Sequence, residues 1–567
     1  MSQSNKKQNF LQGAALLAAA NAIVKLIGAF YKVPLMRIIG ELGYGYFMTA
    51  YDIYSMLLMI STTGLPIAMS RMISREHSLE HYDSLRRVYK VAQPIFLILG
   101  LFSSLLMLIF CRELAAMQNQ PGAVTAIVCL APCAFLMGIM STFRGFFQGQ
   151  ENMKPTSYSQ VIEAVIKLFA GLGIAYLVAK LTNSEAFAAG GAILGVTLSC
   201  TISVFYLYSK FRPAWQELPS NTNEVVPTKK QTAKELLSIA VPLTIGSAAL
   251  YVLAVIETGV YMDRIVGLIA AGRYDIPLVA ALRDTLLAAD PTLSAEMLHS
   301  QVATSMKGLY NFAQTVFNMP VSFIAPITIS MLPAITAQLT LKKDREVRIT
   351  EESSARITGL LSLPCSVGLC LLAGPVMSLL GGYGNEGLEG MKLELAEKLM
   401  FLLAVGIFPD AVVQYTNVVL QSHGRINTPV VHMLLVGAVR LLLVHLLAGN
   451  PAIGIMGVPV CGLLSYIAIS AMNLIAIRVW VPQKPALLRN LLKPAIPALI
   501  MGAAVFGVQR GLIALLGAAL SPVIMCGVSI LVGVVVYAVC VVVCKVITYE
   551  DCLLLPKGEK LAKVLKL

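Results

Sequence analysis

Charge is what this chain has least of. Asp, Glu, Lys and Arg together make up 13% of its 567 residues, against a hydrophobic share of 57% and a mean hydropathy of +0.76. A soluble fold of this size cannot hide that much apolar surface, so lipid is its solvent. Metal-ligand sets and nucleotide-binding motifs are missing too, which argues against a membrane enzyme such as a glycosyltransferase and predicts neither metal nor cofactor. The 11 cysteines do not form a disulfide framework, because nearly all fall inside apolar stretches. Pairs such as Cys129/Cys133 and Cys540/Cys544 share a helical face without further ligands and read as small apolar filler, and Cys200 belongs with them. His77 and His81 have the i, i+4 spacing of metal ligands, but they sit in the charged stretch Arg75–Asp83 and read as a solvated loop.

What is present is a series of apolar runs. About 20 residues are needed to cross roughly 30 Å of hydrocarbon, and about fourteen runs qualify: 11–35, 44–70, 91–110, 122–147, 157–179, 188–209, 235–258, 308–337, 355–380, 399–420, 429–448, 453–477, 493–513 and 521–544. The N-terminal run resembles a cleavable signal around Ala18–Ala22, but its apolar pattern continues past Lys25 to Leu35 and predicts a retained helix. With the N-terminus inside, 29 Lys and Arg fall in inner segments. Ten fall in outer ones: Arg37, Arg112, Lys180, Arg264, Arg273, Arg283, Lys307, Lys392, Lys398 and Arg510. That asymmetry places both termini in the cytoplasm. It also accounts for the net charge of +13 as basic loops beside anionic headgroups, without nucleic acid.

The chain repeats itself once. Leu65-Pro66-Ile67-Ala68 is echoed by Leu332-Pro333-Ala334-Ile335, and Phe146–Thr156 by Val419–Pro429. Each repeat holds an even number of spans, so the halves have parallel topology and can rock about a site between them. The expected fold is therefore an all-α polytopic membrane protein: two parallel six-helix lobes around a central cavity, plus two C-terminal helices. The expected boundaries are an N-terminal lobe at 1–210, a cytoplasmic linker at 211–234, and a second lobe at 235–477 with an outer loop at 259–306. Two extra helices and a basic tail occupy 478–567. Ile265–Ala289 reads as an amphipathic surface helix and Asp551–Leu567 as a basic interfacial segment.

A formal charge at bilayer depth is costly and marks a water-filled path or a partner charge. Asn21, Lys25, Gly28 and Lys32 share one face of the first span, a cationic stripe suited to an anionic substrate. Lys167 follows Glu163 by four positions, the spacing of an intrahelical pair. Arg440 can hold a phosphate bidentately or pair with Glu257 or Asp410. Asp52, Glu163, Glu257 and Asp410 are candidate sites for a coupling ion, sodium or proton, because buried carboxylates are unfavourable unless paired or titrating.

The segments Gly28–Leu35, Gly40–Phe47 and Gly64–Arg71, and above all Phe143–Gly149 with Met153–Glu163, resemble the stage V sporulation protein B and YtgP group. That group is similar to the MurJ-type lipid II flippases, within a superfamily that also holds polysaccharide exporters and multidrug extruders. The resemblance implies inner-to-outer movement of a polyprenyl-pyrophosphate-linked saccharide, in particular lipid II, for peptidoglycan assembly, cell shape or sporulation. It further implies a bacterial plasma membrane and lipid partners, and the chain is expected to act as a monomer. MurJ-type proteins place arginine on the second helix, whereas Ile53–Pro66 has no basic residue. The headgroup role then falls to Lys25, Lys32 and Arg71, with Asn21, Lys167 and Arg440 as further contacts. Two alternatives stay open: an organic-cation antiporter of the same superfamily, and a flippase for a teichoic or capsular lipid-linked glycan.

Overall fold

The computed structural model describes residues 3–62, 64–219, 226–516 and 521–548. Helices account for almost all of them. The N-terminal series is α1 (Gln3–Thr62), α2 (Gly64–Ser78), α3 (Tyr82–Ile109), α4 (Cys111–Met117), α5 (Val124–Gly149), α6 (Lys154–Thr182), α7 (Glu185–Gln216), α8 (Lys229–Ala270), α9 (Pro277–Ala289) and α10 (Ala295–Thr340). It continues with α11 (Asp344–Leu371), α12 (Ala373–Gly381), α13 (Gly387–Val405), α14 (Ile407–Ser422), α15 (Asn427–Ala448), α16 (Gly457–Trp480), α17 (Leu487–Leu492), α18 (Ala495–Leu516) and α19 (Pro522–Val543). Among the described residues, eleven helical segments are long and apolar enough to cross a membrane. The first, Ile23–Ser78, takes in the expected span at 44–70 and the part of 11–35 from residue 23 onward, while the expected spans at 235–258 and 308–337 fall on α8 and α10. The chain is an all-α, multi-pass membrane protein.

The helices form two compact units, one of residues 1–272 and 285–311, the other of 273–284 and 312–567. In the first unit, helices meet where small residues let backbones approach. A Cβ on Gly195 of α7 would lie 2.4 Å from Gly171 of α6, and one on Gly138 of α5 would lie 2.9 Å from the Phe96 carbonyl of α3. Gly308 of α10 meets the Glu41 carbonyl of α1 so closely that a Cβ would stand 1.9 Å from it. Aromatic rings fill the gaps: Tyr89, Phe146, Phe211 and Trp215 form one contiguous cluster. Large apolar side chains such as Phe169 and Phe205 point outward, as a lipid-facing surface requires.

Where a loop between the first two spans is expected, α1 breaks at a single residue. Gly40 takes φ 69°, and Glu185 of α7 fills the space where its Cβ would stand. The Glu185 carboxylate accepts from the Gly43 N–H at 2.9 Å and so caps the second half of α1. Glycine meets both demands at once, a left-handed backbone and no side chain. Further along, α8 starts on a capping box: Thr228 Oγ1 accepts from the Gln231 N–H, and Gln231 Oε1 accepts from the Thr228 N–H.

The second unit packs α11 against α14, α17 and α18. Its buried cluster includes Tyr415, Val419, Ile477 and Leu491. Gly359 of α11 lies against the Leu491 carbonyl, and Ser366 Oγ donates to the Ala404 carbonyl at 2.7 Å. The expected surface helix Ile265–Ala289 is interrupted. Helix α8 ends at Ala270, Gly272 turns the chain at φ 63°, and α9 begins at Pro277 with Leu278 and Leu282 buried. His77, read as a loop residue, is in the last turn of α2, while His81 lies outside it with Nδ1 3.4 Å from Glu76 Oε2. The basic tail expected at 551–567 lies outside the described residues.

Candidate functional site

In the first unit the stripe on α1 holds its expected register, because α1 is continuous up to Gly40. Asn21 and Lys25 are exposed and Lys32 is half-buried, two turns further along. Lys32 lies within electrostatic reach of Lys167 on α6 and of Asp52 on the second half of α1. Lys167 places its ammonium 5.5 Å from the centroid of the Tyr31 ring, a position in which the ring face attracts a cation. Tyr31 is buried, and it begins a file of rings through Phe47 and Tyr51 to Tyr54 with centroid separations of 6.2, 4.8 and 6.2 Å.

Glu163 does not pair with Lys167. Its Oε2 accepts from Arg144 Nη2 at 3.0 Å, while Arg144 Nε donates to Ser159 Oγ at 3.1 Å. Arginine presents a planar fork of donors to both acceptors at once, which a lysine one helical turn away cannot do. Lys167 is thereby left facing Tyr31 and the lysine of α1.

A second group forms around Asp52. Lys307, on the part of α10 belonging to this unit, is completely buried. Its Nζ donates to Thr49 Oγ1 at 2.6 Å and stands 3.8 Å from Asp52 Oδ2. Thr49 in turn donates to Gln120 Oε1 at 2.6 Å. Buried Tyr261 of α8 packs edge-on to Tyr310 and feels the charges of Asp52 and Glu257. Lys307, counted among the outer-loop cations from the charge pattern, is not in a loop: α10 begins at Ala295 and carries it into the protein. A signal was present, since Lys307 is the lone Lys, Arg, Asp or Glu between Glu296 and Lys342.

Arg71 is exposed on α2 and Glu257 is half-buried on α8. In the second unit, Asp410 accepts from Gln414 Nε2 at 2.7 Å, within its own helix. Arg440 runs alongside Gly462 of α16, whose missing side chain leaves room for the guanidinium. Sequence reasoning also missed a buried polar node here. Asn473 donates to Thr416 Oγ1 and Asn417 Oδ1, at 3.0 and 2.8 Å, and accepts from His432 Nδ1 at 2.7 Å.

A helical membrane protein that keeps lysines, a buried ion pair and polar nodes within its spans has the construction of a transporter rather than an enzyme. Comparisons with known proteins agree. The family model described as polysaccharide biosynthesis protein matches residues 10–338, more than half of the chain, and a second model, described as lipid II flippase MurJ, matches 292–525. The chain belongs to the polysaccharide biosynthesis protein family. Three Bacillus subtilis proteins are similar to it. The uncharacterized membrane protein YabM is 25% identical, covering 99% of this chain and 97% of its own. Stage V sporulation protein B is 25% identical over 80% of each, and the lipid II flippase MurJ is 24% identical over 67% of each. Among solved structures, lipid II flippase MurJ in an inward closed conformation superposes with a TM-score of 0.62 at 13% identity, covering 93% of this chain and 97% of that one. An inward-facing multidrug resistance MATE family transporter of the MOP superfamily gives 0.56 at 14% identity, covering 81% and 97%.

Proposed function

We propose that the protein is a flippase that carries a polyprenyl-pyrophosphate-linked saccharide, lipid II, from the inner to the outer leaflet by alternating access. The observation that carries this reading is the lysine pair on facing helices of the first unit. Lys32 and Lys167 lie within electrostatic reach of each other, and Arg144 rather than Lys167 takes the nearby Glu163 carboxylate. Asp52, the carboxylate that also reaches Lys32, is 3.8 Å from Lys307, so the two lysines share no carboxylate of their own, and a pyrophosphate headgroup supplies that charge. Lys25, exposed two turns before Lys32, extends the same face as a first contact, and Asn21 adds an amide donor. The similarity to stage V sporulation protein B and to MurJ supports the same substrate class and a role in cell-wall assembly.

In this reading both termini are cytoplasmic, the chain works as a monomer, and the Asp52–Lys307 pair is the place where a coupling proton or sodium ion acts on the first unit. Arg71 is a second contact for the headgroup on the first unit, Arg440 is an anion contact on the second, and Glu257 and Asp410 are further coupling positions.

The carboxylates Asp52, Glu257 and Asp410 favour one competing reading, an organic-cation antiporter. The two differ in which substitution silences transport. The test is outer-leaflet accessibility of lipid II in cells depleted of their resident flippase and supplied with this protein. Restored exposure that is lost in Lys32→Gln and Lys167→Gln, with both variants present in the membrane, is expected. Failure of the unsubstituted protein to restore exposure, together with drug efflux that depends on Asp52, would replace this reading with the antiporter.

A further inference from the structure

A cleft of ≈ 450 Å³ opens beside the last turns of α16, between them and α17. Its wall includes Ile475 and Leu488, which are 64% and 56% exposed, and its rim carries Arg478, Lys484 and Arg489. None of these three exposed cations has a hydrogen-bond or ion-pair partner on its side chain among the described residues. Several neighbouring charges are engaged. Arg348 pairs with Glu352 at 2.9 Å, Arg356 donates to Asn490 Oδ1 at 2.8 Å, and Asp344 accepts from Gln483 at 2.8 Å. Glu352 also accepts from the Ala486 N–H at 3.1 Å. The carboxylates nearest the cleft are thus occupied, and its cations are not.

We infer that this cleft binds an anionic phospholipid, with the phosphate among Arg478, Lys484 and Arg489 and an acyl chain along Ile475 and Leu488. A soluble anion has no use for the exposed apolar wall, and a neutral lipid has none for three unpaired cations. Trp480 fixes the depth. It lies between Arg478 and Lys484, half exposed, with the Arg425 guanidinium carbon 3.9 Å from its ring centroid, and tryptophan settles at the headgroup level of a bilayer. The cations therefore stand where lipid phosphates are. Basic pockets between membrane helices on the cytoplasmic side recognise such headgroups, and the charge count assigns this end of α16 to that side.

The chain has 2 tryptophans, Trp215 and Trp480, so Trp215→Phe leaves Trp480 as the reporter at the cleft. The full-length Trp215→Phe protein is reconstituted in vesicles mixing brominated phosphatidylglycerol with phosphatidylcholine, and the reverse, and quenching of Trp480 gives the relative association of the two lipids. The expected preference for phosphatidylglycerol is about fivefold or more, what a single interfacial cation contributes. In Arg478→Gln/Lys484→Gln/Arg489→Gln it falls to near one, whereas Lys229→Gln/Lys230→Gln/Lys234→Gln on α8 keeps it. Lys484→Gln alone, an exposed turn position, lowers it partway and serves if the triple variant does not fold. No preference in the parent, an unchanged ratio in Lys484→Gln and the cleft variant, or equal loss in the α8 variant would overturn the proposal. So would removal of the preference by millimolar inorganic phosphate, which would make this a site for small anions.

Discussion

Lys307 Nζ stands 2.6 Å from Thr49 Oγ1 and 3.8 Å from Asp52 Oδ2, so a lysine of α10 is tied to the second half of α1 within one unit. The lysine is fully buried while the aspartate side chain keeps 36% of its exposure. The pair is therefore anchored on one side and open on the other, which suits a carboxylate that exchanges a proton or an ion while its lysine stays in place.

Lys307→Met should lower the thermal stability of the purified protein by an amount equivalent to about 1–3 kcal/mol, the usual scale for losing a hydrogen bond to a charged group. Asp52→Asn should lower it less, because Asp52 is partly exposed and its pairing is screened. The double variant should lose less than the sum of the two, since both remove one interaction. Strictly additive losses in that cycle would mean the two side chains are not energetically coupled.

Arg144→Gln should be more destabilising than Lys167→Gln. The first leaves the Glu163 carboxylate and Ser159 without their donor, again about 1–3 kcal/mol. The second forfeits a cation–ring contact of about 0.5–1 kcal/mol and should reduce transport while the protein still folds. Tyr31→Phe keeps the ring face and should transport normally. Melting temperatures beside the lipid II accessibility assay separate these outcomes, and equal melting losses for Arg144→Gln and Lys167→Gln would count against the assigned pairing.

Gly308→Ala should impair folding or expression, because the added methyl meets the Glu41 carbonyl and must push α10 away from α1. Overpacking of this kind costs about 1–3 kcal/mol. Gly28→Ala, on the same α1 but with nothing within 4 Å of the new carbon, should be neutral or slightly stabilising through helix propensity. Fluorescence-detected size exclusion of the two variants side by side reads the difference.

His423 and Glu351 form a buried pair in the second unit, with Nε2 2.8 Å from Oε1 and side-chain exposures of 7% and 0%. His423→Ala should destabilise by about 3 kcal/mol or more, since it strands a buried carboxylate. His423→Gln, which retains a donor, should recover much of the loss. A thermal unfolding series that ranks alanine and glutamine equally would show that the contact contributes little.

The fold class was readable along the chain because each span is a local property: a run of apolar residues long enough for the bilayer must satisfy its own backbone, and helix is the way to do so. The stripe Asn21, Lys25, Gly28, Lys32 was readable for the same reason, as helical periodicity along one element. Even the break in α1 had its residue in view at Gly40, although the cap that holds it comes from Glu185, on a helix well separated along the chain. The i, i+4 spacing of Glu163 and Lys167 was a true neighbour relation on α6, yet a guanidinium from α5 outcompeted it.

Composition and periodicity by themselves determined that this protein lives in a membrane, that it is helical throughout its spans, and that cations line one face of its first helix. Which carboxylate each cation meets was decided only by tertiary structure. Lys307 and Asp52, or Arg144 and Glu163, interact through distances of a few ångströms set by how helices pack. Electrostatic energy depends on that separation and on local burial, and neither is written in the spacing of residues along one strand of sequence.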